Sequence, residues 1–263
     1  MSAEMQISED VIDPARAEAM MATLGQPRGF AAGEALPPFF HQLYFWEPKP
    51  PGALGRDGHP KLGGLIPDMG LPRRMWAGGR LEFETPLRAG QPAQRRSVCE
   101  TAKRKTGRSG ALGIVTLRHE IWQDGRRCLT DWQDLVYRED PDPAAPGPTA
   151  PVARTDEALS EARSFDATLL FRYSALTFNG HRIHYDRDYA REFEGYTGLV
   201  VHGPLLAQHL MLMAEARLGG LSRFSFRATS PLMDFETAEF CWKDGAGWVR
   251  GPDGRQCMVA EAG

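Results

Sequence analysis

The hydrophobic pattern is densest between residues 204 and 218. Pro204 suits the first turn of a helix and Gly219-Gly220 its end, so this run predicts a helix about 22 Å long at its rise of about 1.5 Å per residue. A helix without a broad polar face has to be enclosed by other elements. Its apolar residues cover almost the whole circumference, namely Leu205, Leu206, Ala207, Leu210, Met211, Leu212, Met213 and Ala214.

Runs with the two-residue alternation typical of strands can enclose this helix. The clearest is 223–228, in which Phe224 and Phe226 alternate with polar residues. A short helix is predicted to begin directly after Asp13, which serves as its N-cap. A loop-rich stretch is predicted at 48–79. Further strands are predicted at 80–84, 96–102, 111–122, 129–138, 237–242 and 256–260, with turns at 107–110, 124–125 and 244–247. The pattern therefore predicts an α+β protein whose antiparallel strands curl around a helix.

Prolines interrupt this pattern between residues 139 and 151. Because proline fixes φ and removes a backbone donor, no helix or central strand can continue through them. We predict a stiff connector at 139–151 between a first half, 1–138, and a second half, 152–263, packed into one unit. A sheet wrapped around a helix is a hot-dog fold. The predicted architecture is thus a double hot dog, with two antiparallel sheets each wrapping a helix in one chain.

Composition narrows the classes of function. The chain has 263 residues, with 31 Lys and Arg against 34 Asp and Glu, and this near-balance argues against a nucleic-acid or anionic-membrane partner. Its four cysteines form no CxxC pair, which favours reduced thiols over a disulfide framework or zinc ribbon. The stretch 205–214 is shorter than the ~20 residues of a membrane span, and the N-terminus lacks the pattern of a secretion signal. We expect a cytoplasmic protein.

The chemistry is expected in a histidine-rich stretch, since four of the seven histidines lie between residues 181 and 209. The runs "NGHRIHYDRDYA" and "GLVVHGP" resemble the motif of MaoC-like (R)-specific enoyl-CoA hydratases and dehydratases. In that motif, Asn179 stands where the family carries its catalytic Asp, and His181 where it carries Asn. The matching histidine is His184, and "VHG" ends at Gly203.

A narrower resemblance covers most of the chain. The runs "LPPFFHQLYF", "GRDGHPKLGGLIPDMGLPRRMWAGGRLEF", "GRSG" and "FRYSALTFNGHRIHYD" are similar to the itaconyl-CoA and 3-methylfumaryl-CoA hydratase branch, in which Asn replaces the Asp. The resemblance implies a hydratase that converts such a thioester to citramalyl-CoA. It also implies a catalytic second half, a first half that shapes the acyl pocket, and no cofactor beyond the coenzyme A of the substrate. We further expect a homodimer.

The residues themselves suggest roles in adding water to an enoyl thioester. His184 is the natural base, because an ordinary histidine pKa lies near the working pH. Asn179 cannot take a proton but can orient the water. The N–H of Gly203, at the start of the central helix, can stabilise the developing enolate oxygen. His181, Tyr185 and His202 are candidate supporting residues.

Other interpretations stay open at this point. His181 and His184 could bind a metal with Asp186 or His202, although no familiar spacing supports a metal site. His202 and His209 could make structural hydrogen bonds. The substrate carboxylate needs a cation, for which Arg73, Arg74 and Arg172 are candidates. The basic residues Arg95, Arg96, Lys103, Arg104, Lys105 and Arg108 could bind coenzyme A phosphates or form a solvated hairpin.

Two other functions compete with the hydratase. One is a (3R)-hydroxyacyl-thioester dehydratase acting on fatty acyl chains. The other is a non-catalytic acyl-CoA-binding protein, since the carboxylate expected at position 179 is missing.

Overall fold

The computed structural model describes residues 5–107, 110–141 and 149–263. Four α-helices are present there: α1 (Pro14–Thr23), α2 (Ala167–Thr177), α3 (Arg187–Glu192) and α4 (Gly203–Leu218), with short 3-10 helices at Phe40–Leu43, Pro51–Ala53 and Arg182–His184. The strands of the first half are β1 (Gln6–Val11), β2 (Arg73–Phe83), β3 (Pro92–Gly107), β4 (Gly110–Gln123) and β5 (Arg126–Arg138). Those of the second half are β6 (Leu159–Ser164), β7 (Arg223–Ala228), β8 (Thr237–Lys243), β9 (Ala246–Arg250) and β10 (Gln256–Ala262).

All ten strands form one antiparallel sheet in the order β1-β3-β4-β5-β2-β7-β10-β9-β8-β6. Each half contributes five neighbouring strands, and the halves meet where β2 pairs with β7. Gly78 and Gly79 lie in this pairing, opposite Arg227 and Phe226. A Cβ on Gly78 would come within 2.5 Å of the Phe226 carbonyl oxygen, so glycine is needed for the two halves to meet. The α+β prediction is confirmed, and the two expected sheets are continuous.

The second half wraps α4 as predicted. The helix contacts β7, β8, β9 and β10 and also β2 from the first half. His202 is its N-cap residue, and Gly219 ends it in the left-handed region at φ 77°. Burying each Leu or Met side chain contributes about 1.5–3 kcal/mol, so this enclosed helix anchors the core. Its buried apolar residues include Leu205, Leu206, Leu210, Met211 and Met213.

In the first half, α1 begins at the predicted place, with the Asp13 carboxylate accepting from the Ala15 N–H. This helix contacts α2 and the Phe40–Leu43 helix. The segment 36–45 places Phe39, Phe40 and Leu43 in the shared core, and the His41 ring reaches Asp131 on β5. An irregular segment therefore provides much of the apolar packing in this half.

Several elements differ from the sequence predictions. β1, β6, β9 and α3 were not predicted, and β2 begins at Arg73, inside the stretch predicted to be loop. β1 and β6 are the two edge strands, and alternate residues of each are exposed, so neither needs a strong apolar signal. β9 begins at Ala246, which the predicted turn 244–247 had included.

Some predictions fall outside the described residues. Residues 142–148 of the predicted connector and Arg108-Ser109 of the predicted turn are among them. The domain boundaries therefore stay predictions. Within the described part of the chain, no helix is long and apolar enough to cross a membrane.

Candidate active site

A cavity of about 1160 Å³ lies between the two halves. The C-terminal end of α2 and the turn that follows it form one wall. The loop before β2 and the inner surface of β3–β5 form the other. Among its lining residues are Ser174, Phe178, Asn179, Gly180 and Tyr185 from the second half, and His41, His59, Arg74, Arg95, His119 and Asp131 from the first.

Asn179 reaches this cavity because α2 ends two residues earlier. Phe178 adopts the left-handed region at φ 52°, and the Asn179 N–H donates to the Ser174 carbonyl oxygen over 2.9 Å. The side-chain Oδ1 of Asn179 accepts from the His181 N–H at 3.0 Å. This bond uses one lone pair of the amide oxygen and leaves the Nδ2 hydrogens available to a ligand in the cavity.

His184 ends the short helix Arg182–His184 and is buried. Its Nδ1–H donates to the Val200 carbonyl oxygen at 2.7 Å, so Nε2 carries the free lone pair. Burial lowers the pKa of His184 to about 4, which keeps the ring neutral near pH 7. Of the predicted residues, Asn179 and Tyr185 line the cavity, whereas His181, His184, His202 and Gly203 are not part of its described wall.

His202 holds the ring of His184 from one side. The two rings stack with their centroids 3.6 Å apart. His202 is fully buried, and its Nε2 lies 2.8 Å from the Ser174 hydroxyl oxygen. Burial, followed by the charges of His184 and His181, holds the pKa of His202 well below its usual range. These contacts fit the supporting role predicted for His202.

Gly203 is the first residue of α4, so its N–H has no acceptor within the helix. A Cβ at this position would lie 3.8 Å from the carbonyl oxygen of Trp76 on β2. The structure therefore places Gly203 where β2 passes the N-terminus of α4. An oxyanion role for its N–H stays a prediction.

The remaining predicted residues have distinct positions. His181 is buried, its ring centroid lies 5.5 Å from that of His184, and its Nε2 has no hydrogen-bond partner among the described residues. Tyr185 is exposed, and its hydroxyl donates to the Gly180 carbonyl oxygen at 2.8 Å. That bond stabilises the turn carrying Asn179.

The sequence analysis missed Asp57 and His59, which the first half contributes to the same place. The Asp57 Oδ2 accepts from the His59 Nδ1–H at 2.9 Å, and the His59 ring centroid lies 4.6 Å from that of His181. The Arg182 N–H donates to the Asp57 carbonyl oxygen at 2.8 Å. About 120 residues separate these partners in sequence. The Asp-x-His spacing in a glycine-rich loop was the one available signal, because it can place a carboxylate beside an imidazole.

The metal set considered from sequence does not assemble as such. Asp186 caps α3 and accepts from the Arg182 guanidinium at 2.7 Å. Two other groups among the described residues have donor atoms within 4.8 Å of one another: Asp57, His59 and His181, and Glu157, Glu239 and Cys241.

The three candidate arginines are clearly separated by the structure. Arg73 forms an ion pair with Glu194 at 2.6 Å, and Arg172 is exposed on α2 and is not among the residues that line the cavity. Arg74 lines the cavity. Burial and then the positive charge of Arg74 lower the pKa of His59. Arg74 is therefore the candidate cation beside the site.

The basic residues on β3 divide into two sets. Arg95 lines the cavity and pairs with Glu47 at 2.5 Å. Lys103, Arg104 and Lys105 are exposed, as a solvated hairpin would have them. Arg108 lies outside the described residues.

A second polar group, here called the first-half cluster, lies on the β5 side of the cavity: His41, Gln42, His119, Asp131 and Gln133. The fully buried Asp131 carboxylate accepts from Nε2 of Gln42 and of Gln133 at 2.8 Å each, and lies 3.2 Å from Nε2 of His41. Burial alone would raise the pKa of Asp131, but the hydrogen bonds from His41 and Gln133 and the charges of His41 and His119 together lower it. Burial lowers the pKa of His119 to about 4.

The fold and this histidine-rich site define the class of hot-dog hydratases and dehydratases. HtdX of Mycobacterium tuberculosis superposes with a TM-score of 0.68 at 18% identity, covering 98% of this chain and 99% of that one. Another protein of that bacterium, whose structure is described as a double hot-dog fold, superposes with a TM-score of 0.63 at 13% identity, covering 100% of this chain and 95% of that one. The double hot-dog prediction is confirmed.

Sequence comparison identifies the family. The model of the hydroxyacyl-thioester dehydratase type 2 family matches residues 39–234, and the chain belongs to this family. It is 44% identical to mesaconyl-C4-CoA hydratase of Chloroflexus aurantiacus, over 96% of this chain and 92% of that protein. It is 27% identical to the mitochondrial hydroxyacyl-thioester dehydratase type 2 of Schizosaccharomyces pombe, over 79% of this chain and 77% of that protein. The protein is an enzyme of the hydratase and dehydratase type that acts on thioesters.

Proposed function

We propose that the protein hydrates a short branched dicarboxylyl-CoA to citramalyl-CoA, with 3-methylfumaryl-CoA preferred over itaconyl-CoA. The observation that carries this proposal is Arg74, a cation in the cavity wall beside the imidazoles of the site. A fatty acyl chain offers it no partner. A substrate with a free carboxylate does, and guanidinium–carboxylate pairs are among the strongest polar contacts in proteins.

The chemistry of 3-methylfumaryl-CoA places that carboxylate close to the reaction. Its β-carbon carries both the methyl group and the carboxylate, and water adds to this carbon. The cation that binds the carboxylate must therefore lie near the water-binding residues. Arg74 and Asn179 line the same cavity, which supports the assignment. Mesaconate is methylfumarate, and the mesaconyl thioester at C4 is 3-methylfumaryl-CoA, the substrate in the name of the 44% identical relative.

The proposed mechanism uses the local hydrogen bonding of three residues. Nε2 of the neutral His184 takes a proton from water as its oxygen bonds to the β-carbon, and the C=C electrons move to the thioester oxygen. The Gly203 N–H stabilises the resulting enolate oxygen. His184 then returns the proton to the α-carbon. Asn179 donates its Nδ2 hydrogens to hold the water, since its Oδ1 is already bonded to the His181 N–H.

The substrate assignment can be tested with a matched pair of thioesters. 3-Methylcrotonyl-CoA differs from 3-methylfumaryl-CoA only by a methyl group in place of the carboxylate. We expect kcat/KM to be at least about tenfold higher for 3-methylfumaryl-CoA than for this analogue or crotonyl-CoA, because a paired carboxylate contributes at least ~1.4 kcal/mol. Loss of the conjugated-thioester absorbance gives the rate. Equal or faster turnover of the unbranched or uncharged thioesters would contradict the assignment.

The role of Arg74 can be tested in the same assay. Arg74→Gln should lower kcat/KM for 3-methylfumaryl-CoA about 10–100-fold and leave that for 3-methylcrotonyl-CoA within about threefold. Arg73→Gln is the control at the neighbouring position, because the guanidinium of Arg73 is already paired with Glu194. A similar loss for both substrates in Arg74→Gln would mean that the residue supports the fold and not the carboxylate.

One alternative function keeps a specific support. The family model and the yeast relative are both named for hydroxyacyl-thioester dehydratases, so a (3R)-hydroxyacyl-thioester dehydratase acting on fatty chains is the second candidate. The polar first-half cluster in the cavity wall disfavours a long apolar chain. Activity that rises with chain length would favour this alternative. Homodimer formation and coenzyme A as the only nucleotide group involved stay predictions.

A further inference from the structure

We propose that His59, held by Asp57, is a second hydrogen-bond acceptor for the reacting water, so that the water is held between His59 and His184. The proposal rests on the hydratase function proposed above, but it applies to any enoyl thioester that the enzyme hydrates. It assigns a direct role to a loop of the half that was expected only to shape the acyl pocket.

The first observation is that this loop is locked onto the turn carrying Asn179. The Arg182 N–H donates to the Asp57 carbonyl oxygen at 2.8 Å. Gly58 has φ +89°, and a Cβ built on it would lie 2.0 Å from the Gly180 carbonyl oxygen. The backbones touch, so the position of His59 relative to Asn179 is fixed by main-chain contacts.

The second observation is the tautomer of His59. A carboxylate can only accept, so the His59 Nδ1 that lies 2.9 Å from the Asp57 Oδ2 must carry the hydrogen. The other nitrogen, Nε2, then has a free lone pair, on a ring that lines the cavity. His184 is arranged in the same way, with the Val200 carbonyl oxygen as the acceptor for its Nδ1–H. The site thus holds two imidazoles whose tautomers are fixed with Nε2 as an acceptor.

The third observation concerns the second hydrogen of the reacting water. A water that attacks a carbon atom has two hydrogens, and one of them stays on the hydroxyl group of the product. His184 takes the first. Asn179 already uses one lone pair of its Oδ1 to accept from the His181 N–H at 3.0 Å. Nε2 of His59 offers a free lone pair in the same cavity wall and can accept the second hydrogen.

The step balances with these groups alone. The O–H bond directed at His184 breaks, its proton passes to Nε2, and the oxygen bonds to the β-carbon while the C=C electrons move to the thioester oxygen. The enolate then takes a proton at the α-carbon from His184, which returns to the neutral form. His59 keeps its bond to the remaining hydroxyl hydrogen throughout and changes no covalent bond.

The decisive variant is Asp57→Asn, which preserves shape. Asp57 accepts twice from His59, through Oδ1 from the backbone N–H at 3.0 Å and through Oδ2 from the ring. The backbone N–H can only donate, so the oxygen of Asn must face it and its NH₂ must face the ring. The ring then has to accept at Nδ1, which moves its hydrogen to Nε2 and removes the acceptor from the cavity.

We expect both His59→Ala and Asp57→Asn to lower kcat about 10–100-fold with KM within about threefold of wild type. Side-chain ¹⁵N NMR of the full-length protein should show the Nδ1–H tautomer for His59 in the wild type and the Nε2–H tautomer in Asp57→Asn. Arg56→Ala is the matched control, since this neighbouring side chain is exposed and pairs with Asp140. Its kcat should match the wild type.

Three results would overturn the proposal. The first is near-normal kcat in His59→Ala while His184→Ala is inactive. The second is near-normal kcat in Asp57→Asn together with the switched tautomer. The third is activity lost on dialysis against a chelator and restored by zinc, since the lone pairs of His59 and His181 would then belong to a metal. If the wild type hydrates fatty thioesters instead, the proposed substrate fails, and the same variants are compared on those substrates.

Discussion

The protein holds two groups of buried histidines, of which the first-half cluster lines the cavity, and they differ in what their ring nitrogens contact. In the first-half cluster, His41 meets the Asp131 carboxylate, which also accepts from two glutamine amides. In the second half, His181, His184 and His202 meet a backbone carbonyl, a hydroxyl and each other, with no carboxylate bonded to them among the described residues. Both groups keep ring nitrogens without a hydrogen-bond partner among the described residues, namely Nδ1 of His41 in the first and Nε2 of His181 and Nδ1 of His202 in the second. The groups therefore differ in the carboxylate, which only the first one contains.

This difference suggests that the first-half cluster stabilises the fold and that the second group carries out the reaction. A carboxylate that accepts from three donors stabilises the folded state, because removing it would leave the buried His41 and the half-buried Gln42 and Gln133 without this partner. A neutral imidazole with one nitrogen fixed and the other free is suited to moving a proton. We therefore interpret the first-half cluster as part of the wall that limits the acyl pocket and the second group as the reactive centre.

The largest expected effect comes from separating the two groups physically. Residues 152–263 expressed alone should aggregate or lack cooperative unfolding, because β7 loses its pairing with β2 and α4 loses its contact with β2. Circular dichroism during urea titration measures the cooperativity. A soluble fragment with a sharp transition would show that the halves fold independently.

Truncating one histidine in each group gives the next largest contrast. His184→Ala should lower kcat by about 10²–10⁴, the usual contribution of a general base, without unfolding the protein. His119→Ala removes an equally buried ring from the first-half cluster and should change kcat less than about tenfold. A normal kcat in His184→Ala would mean that another residue is the general base, and residues of the first half would then be the next candidates.

Substitutions in the first-half cluster should instead lower the stability of the folded protein. Asp131→Ala should lower the free energy of unfolding by about 3–5 kcal/mol, because it removes the partner of the buried His41 ring and of two half-buried glutamine amides. Asp134→Ala on the same strand is the control, since this half-buried carboxylate accepts from the Thr116 hydroxyl at 2.7 Å. It should cost about 1 kcal/mol. Urea denaturation at neutral pH measures both, and equal losses would remove the distinction between the two aspartates.

Substitutions of Asn179 should have a smaller effect on kcat, and the effect should depend on the charge of the new side chain. Asn179→Ala should lower kcat about 10–100-fold, because the reacting water loses one hydrogen-bond donor. Asn179→Asp should fall as far when ionised, since a carboxylate has no hydrogens to donate. Comparing kcat at pH 5 and pH 8 checks this. A stable and fully active Asn179→Ala enzyme would make the "NGHRIH" run structural.

The smallest effect is a pH dependence that the two groups should share. The pKa values of His119 and His184, both about 4, lie below the ordinary value near 6.5, so the unfolded chain binds protons first as the pH falls. Stability is therefore full above about pH 6.5, and each ring removes about 1.4 kcal/mol per pH unit on the way to pH 4. His119→Gln and His184→Gln should flatten the dependence equally in urea titrations at pH 7, 6 and 5. Unequal slopes would show unequal burial.

The sequence was sufficient where local pattern and local structure coincide. The helix predicted at 204–218 is α4, and the run 223–228 is β7, because an apolar helix and a half-buried strand are each specified by their own residues. The sequence analysis missed β1 and β9 for different reasons. β1 is an edge strand with polar residues, and β9 is five residues long and starts inside a predicted turn.

The residues of the site also differ in how far the sequence could predict them. Asn179, His181, His184 and Tyr185 lie in one short stretch whose order alone suggested a site. Asp57 and His59 reach the same place through a loop about 120 residues away, and no periodicity connects such distant segments. The arginines show a related limit. Arg73 and Arg74 are adjacent in sequence, and only the fold shows that Arg73 is committed to Glu194 while Arg74 lines the cavity.

The contact between Gly58 and Gly180 also sets a boundary for recombining halves from different relatives. A Cβ on Gly58 would overlap the Gly180 carbonyl oxygen at 2.0 Å, and a Cβ on Gly180 would lie 2.7 Å from the Gly58 carbonyl oxygen. Each position must itself be glycine, because the carbonyl oxygen opposite it belongs to the main chain and is present whichever residue stands there. A chimera joined at the proline-rich segment inherits one glycine from each parent, so it assembles a working centre only when both parents supply one.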